Sequence, residues 1–161
     1  MRNQQNIAIV DPSHTTRQPG PVKFVSFDTL DFNAQDMYKM IELRAYERYK
    51  ARGEYGNDWE DWFVAEREVQ LPVPVRHEWE GDTFVIVADV PGFREIEIGR
   101  GKTQLIIGGR LQPGRFVRKA NWIHKAVDLP EEVDSNRATA RLSDGQLEIR
   151  VPKKDTARVG F

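Results

Sequence analysis

From Val73 to Val151 the apolar residues recur at every second position, and no stretch of helical period interrupts them. Thr83–Val90 puts Phe84, Ile86, Ala88 and Val90 on one face. Ile96 and Ile98 follow, then Leu105 and Ile107, then Ile123, Val127 and Leu129 around Lys125. Ala138, Ala140 and Leu142 alternate with Thr139 and Arg141, and Leu147, Ile149 and Val151 with Glu148 and Arg150. A period of two is the signature of half-buried strands. The breaks carry turn residues: Glu80-Gly81-Asp82, Pro91-Gly92, Gly99-Arg100-Gly101, Pro113-Gly114 and Ser143-Asp144-Gly145. Asp-Gly between two clean alternations is a hairpin signal, because a tight two-residue turn needs φ > 0 at both positions. Six to eight short strands without intervening helices predict an antiparallel, Ig-like β-sandwich.

The first seventy residues obey a different period. Residues 1–33 read as a flexible arm, because Asp11-Pro12 and Gln18-Pro19-Gly20-Pro21 continue neither helix nor central strand. Within it lies a short apolar stretch holding Phe24, Val25, Phe27 and Leu30. Met37, Met40, Ile41 and Ala45 share a helical face, with Asn33 as the expected N-cap and Arg52-Gly53 as the end. A second helix starts at Asn57, with Glu60 where a capping box places an acid. Its expected apolar stripe is Trp59, Trp62, Phe63 and Val69, with Glu60, Asp61, Glu66, Arg67 and Glu68 outside. Two amphipathic helices on so short a link predict an antiparallel helical hairpin over 34–71. Leu71-Pro72-Val73-Pro74 ends it, so the sandwich spans 72–153 and 154–161 is a short tail.

Composition narrows the function classes. The 161 residues hold no cysteine, so disulfides, thiolate metal sites and cysteine nucleophiles are excluded, and a reducing cytoplasm is the expected compartment. With 24 basic and 25 acidic side chains, the chain lacks the positive field that phosphate binding requires, so no nucleic-acid partner is expected. The basic stretch Arg115–Lys125, with Trp122 inside it, reads as an ordinary strand edge. Apolar runs reach four residues, or five where Ala88 extends Phe84–Val87, far short of the roughly 20 of a membrane span. No secretory leader is read at the N-terminus, where Arg2 is followed by no apolar run of useful length. His14, His77 and His124 lie on separate segments without metal-ligand spacing, so no metal is expected. Gly99-Arg100-Gly101 and Gly108-Gly109-Arg110 do not join a strand to a helix, so they read as turn and strand-end glycines rather than phosphate cradles. Glu131-Glu132 and Glu66-x-Glu68 lack a partner base. No catalytic residue or cofactor emerges, and no enzyme is expected.

Several of these segments together resemble the α-crystallin domain of the small heat shock proteins. Ala140–Leu147 is similar to the signature A-x-x-x-N-G-x-L, with Ala140, Gly145 and Leu147 matching and Asp144 in place of Asn. Val151-Pro152-Lys153 matches the V-P-K of the last strand. Val90-Pro91-Gly92-Phe93 resembles the family's P-G turn, Leu105–Arg110 its L-x-I-x-G-x-R, and Val127–Pro130 its F-x-L-P. All occur in the family's order. Residues 34–70 instead resemble a short bacterial domain of unknown function, through Arg44-Ala45-Tyr46, Arg52-Gly53, Trp62 and Ala65-Glu66-Arg67-Glu68.

The resemblance implies an ATP-independent holdase that binds unfolded or partly unfolded proteins and self-associates. Phe24, Val25, Phe27 and Leu30 are then the expected client contacts. The family's groove for extended apolar segments falls between the strands of Ile96 and Ile98 and of Ala140 and Leu142. Two departures point to a dimer or small oligomer. Val159-x-Phe161 stands where an I-x-I motif is usual, and only residues 111–128 separate Arg110 from Leu129, where related chains carry a longer exchanging loop. The alternative is a structural or adaptor module that binds one dedicated partner through the helical hairpin.

Overall fold

A computed structural model describes residues 21–54, 56, 58–111 and 121–155. Two four-stranded sheets face each other around one apolar core. The first has the order β1(Val22–Val25), β4(Ile96–Arg100), β5(Gln104–Leu111), β6(Asn121–Asp128). The second runs β2(Val75–Glu80), β3(Thr83–Asp89), β8(Gln146–Pro152), β7(Thr139–Ser143). Every pair is antiparallel except β1 with β4, which run parallel with Val22 opposite Ile96 and Phe24 opposite Ile98. The expected sandwich is present, and its core is the alternating set: Phe84, Ile86, Ala88, Ile96, Ile98, Leu105, Ile107, Leu147, Ile149 and Val151 are all buried. The Asp-Gly hairpin joins β7 to β8 with Leu142 opposite Leu147, and Asp144 and Gly145 take φ of 51° and 77°.

Three helices precede the sandwich proper: α1(Phe27–Asn33), α2(Gln35–Ala51) and α3(Asp58–Val69). The flexible arm expected up to residue 33 is corrected from residue 22 onward. Val22–Val25 is an edge strand, and Ser26 caps α1 by accepting a hydrogen bond from the Thr29 N–H at 3.1 Å. Asn33 is not an N-cap, because α1 passes into α2 through Ala34 and the Asn33 amide instead donates to Glu97 Oε2 at 2.7 Å. Asn57 lies outside the described residues.

The helices lie against the outer face of the first sheet, on a bed of glycines. A Cβ on Gly108 would meet the Leu30 side chain at 2.8 Å, and one on Gly101 would meet the Phe27 ring at 2.5 Å. Gly99 lies within β4 rather than at a turn, and Gly108 lies inside β5 rather than at its end. Their missing side chains are the space α1 occupies. The hairpin's own small core is Ala34, Met37, Ile41, Ala65 and Val69, and β6 contributes Trp122, which is only 4% exposed. The chain then crosses to the sandwich beside that residue: Leu71 N–H donates to the Trp122 carbonyl at 2.7 Å, and the Asn121 amide donates to the Glu68 carbonyl at 3.3 Å. The hairpin therefore leans on its own sandwich.

Candidate functional site

Three surfaces of the fold have the character of a binding site. The first is the edge of the sandwich where β1, the strand beside β4, approaches β7. Ile96 and Ile98 do not line a groove there; they point inward and are core residues. Ala140 and Leu142, the groove residues expected on the other strand, are partly buried and pack against that core from β7. The period of two gave the faces of each strand but not which face looks inward. The β4 edge is already paired by β1, with Ile96 N–H donating to the Pro21 carbonyl at 2.7 Å. Val22 and Phe24 pack against the core from this strand. Arg100 sits over the Phe24 ring at 4.5 Å and donates to the Asn136 carbonyl at 3.2 Å.

This placement leaves the expected client contacts partly or wholly covered in the isolated chain. Leu30 is 2% exposed and pinned over Gly99 and Gly108, while Phe24, Val25 and Phe27 are half-buried. Phe24 packs on the sandwich core, and Phe27 and Leu30 hold α1 to the sheet over Gly99, Gly101 and Gly108. Gly145 is the turn residue of the β7–β8 hairpin and Leu147 is a core side chain, so the signature acts through the fold.

The second surface is an open cleft of about 600 Å³ beside the helices. Leu30, Met37, Trp122 and His124 form part of its wall. His124 is half-buried, and its Nε2 has no hydrogen-bond partner. Burial pushes its imidazole below the ordinary value of 6.5, against a smaller opposing pull from Asp31. Tyr38 meets it edge-on at 6.3 Å. Burial, with Asp31 and Glu66 adding to it, raises the Tyr38 phenol above its usual 10.0. His77 is exposed, with its ring 5.0 Å from Phe84. Among the described residues no three His, Asp or Glu side chains are placed to hold a metal ion, and no helix is long and apolar enough to cross a membrane.

The third surface is the outer flank of α3. The expected stripe of Trp59, Trp62, Phe63 and Val69 is overturned: only Val69 is buried. Trp59 is 63% and Phe63 53% exposed, in edge-to-face contact at 5.5 Å, with Trp62 beside them. The face turned toward α2 instead carries Ala65, Val69 and Asp61, and Asp61 is 1% exposed. Arg52 holds Asp61 with both guanidinium nitrogens, Nη2 reaching Oδ2 at 2.6 Å, and Arg48 Nε lies 3.6 Å away. The Arg52 hydrogen bond lowers the Asp61 pKa below its ordinary 3.8 and raises that of Arg52. Arg44 adds a bond to Glu68 at 3.1 Å. A signal for this existed: Arg44, Arg48 and Arg52 recur every four residues, so they share one helix face and need acids opposite. With polar pairs forming the seam, the large aromatics are left on the flank. The side chain of Trp122, the aromatic of the basic stretch, lies under the hairpin and presents no stacking face. Residues 115–120 of that stretch lie outside the described residues, as does Val159-x-Phe161.

Comparison with known proteins bears on these surfaces. Residues 36–70 match a protein family of unknown function, DUF2934, and residues 77–159 match the Hsp20/alpha crystallin family. No curated protein matches the chain. Among solved structures, the hspA of Xanthomonas axonopodis is 31% identical, with TM-score 0.47, over 53% of this chain and 97% of that one. A small heat-shock protein from Xylella fastidiosa is 30% identical, with TM-score 0.47, over 53% and 89% respectively. A point mutant of hsp14.1 from Sulfolobus is 28% identical, with TM-score 0.46, over 53% and 74%. The family match spans just over half of the 161 residues and falls on the sandwich built around the Asp144-Gly145 hairpin, so the chain belongs to the Hsp20/alpha crystallin family.

Proposed function

We propose that this protein is an ATP-independent holdase that covers apolar segments of unfolding proteins and so suppresses their aggregation. The observation that carries the reading is the aromatic ridge of α3, where Trp59, Trp62 and Phe63 stand in water on a helix whose other face is held. A contiguous exposed aromatic patch is costly to leave uncovered and marks a contact surface. Clients bind there weakly, and several copies of the chain multiply the effect. Client contact thus moves from the N-terminal apolar stretch to the helical hairpin.

Self-association stays small in this account. The β4 edge is closed by the chain's own β1, so an apolar segment from a neighbour has to displace it. A native mass above twelve subunits contradicts this. The same ridge also suits an adaptor that binds one dedicated partner. Breadth separates the two readings: several unrelated thermolabile enzymes are heated with the full chain and light scattering is followed. A holdase protects most of them at near-stoichiometric ratios, and an adaptor protects none.

A further inference from the structure

The charge around the ridge is predominantly negative. Residues 54–69 hold six acids and one base, Arg67. Three of the acids are committed: Asp61 to Arg52 and Arg48, Glu68 to Arg44, and Glu54 to Lys50. Asp58, Glu60 and Glu66 make no ion pair within 4 Å among the described residues, although Arg52 acts on Asp58 and Glu60 at longer range, and each sits within one turn of at least one of Trp59, Trp62 and Phe63. Asp58 and Glu60 are exposed, and the one base, Arg67, lies a turn beyond Phe63 in the last turn of the helix. The indole and phenyl faces are themselves favourable to cations.

From this complementarity we infer that the α3 ridge selects extended polypeptide segments in which apolar residues are flanked by Lys or Arg. The inference rests on the holdase reading and names its client chemistry. The aromatics supply the apolar contact. The three unpaired carboxylates and the ring faces favour flanking cations, and the same carboxylates repel acidic segments of equal hydrophobicity. The family's sandwich contributes nothing to this choice, because the selective residues all lie on the hairpin.

The test uses the full chain and two fluorescent probe peptides with one apolar core, flanked by Lys and Arg in one and by Glu and Asp in the other. Anisotropy is expected to give about tenfold tighter binding of the cationic peptide at low salt, with the advantage shrinking as ionic strength rises. The triple change Asp58→Asn, Glu60→Gln and Glu66→Gln is expected to bring the two affinities together. Glu66→Gln alone, outside the first turn of the helix, narrows the gap without weakening the helix N-terminus. Trp59→Ser with Phe63→Ser is expected to abolish binding of both peptides. Equal affinities in the unaltered protein overturn the inference, as does a preference that survives the triple change. If neither peptide binds and the double serine variant instead sediments as a smaller species, a second copy covers the ridge and the inference falls. Suppression of aggregation is measured on the same samples. If it persists without charge preference, only the inference fails; if the unaltered protein protects no client, the holdase reading fails as well.

Discussion

Ile149 in the sandwich and Asp61 in the hairpin are both almost wholly buried, yet they are held by opposite means. Ile149 sits among apolar neighbours and needs no partner of specific geometry. Asp61 is tolerated only because Arg52 and Arg48 converge on it. The sandwich is an apolar core that any close-packed set of similar volume can maintain. The helical layer is a thin structure held by ion pairs, one borrowed tryptophan and a bed of glycines, and it spends none of its largest aromatics on its own packing. The fully buried apolar core is concentrated in one half and exposed aromatic surface in the other.

The largest expected effect comes from the sandwich. Ile107→Ala or Ile149→Ala removes a fully buried branch and should cost about 2–5 kcal/mol in urea unfolding followed by far-UV circular dichroism. A cost below that range would mean the sandwich core is looser than the contrast requires. Gly108→Val tests the layer instead. The new side chain meets Leu30, so strain of about 1–3 kcal/mol should lift α1 from the sheet. Emission from Trp122 should shift to the red while the sheet signal stays. Loss of the sheet signal as well would show that the two halves unfold as one unit.

Acid sharpens the comparison. The folded pKa of Asp61 is depressed by the Arg52 hydrogen bond, so its stabilisation is present above the ordinary 3.8 and is lost as pH falls through the lower folded value. Helical signal should therefore fall before strand signal on acidification, and Asp61→Asn should remove that acid transition while weakening the hairpin at neutral pH. A smaller effect belongs to His124. Its folded pKa lies below the unfolded 6.5, so the unfolded chain binds the extra proton in that window. Stability is present above 6.5 and declines as pH falls toward the folded value. Thermal melts at stepped pH should show this decline in the unaltered protein and a flatter profile in His124→Leu. The smallest effect on stability is expected from Trp59→Ser with Phe63→Ser, within about 0.5 kcal/mol per site, because both are surface residues.

The sandwich was legible because alternation, turn glycines and the Asp-Gly pair all report one local geometry, and the family motifs lie on those same elements. Which face of β4 and β7 looks inward was not legible, since a period of two is symmetric until the partner sheet is known. The hairpin was legible as two helices but not as a surface. Helical spacing grouped Trp59, Trp62 and Phe63 correctly, and hydrophobicity then assigned that group to the core. The assignment failed because the seam between α2 and α3 is decided by pairing across helices, between Arg52 and Asp61 nine residues apart and between Arg44 and Glu68 twenty-four apart. β1 was hidden for a related reason: four residues after a Pro-Gly-Pro stretch carry too little pattern to reveal a parallel edge strand.

The measurement that tests the account most directly is suppression of aggregation by the unaltered chain and by the Trp59→Ser, Phe63→Ser double variant. Both are matched for thermal stability and mixed at equal ratios with a heat-labile enzyme, and scattering is recorded with no nucleotide present. The account predicts suppression by the unaltered chain and its loss in the variant at unchanged stability. Equal suppression by the two proteins would contradict it and take client contact off the α3 ridge.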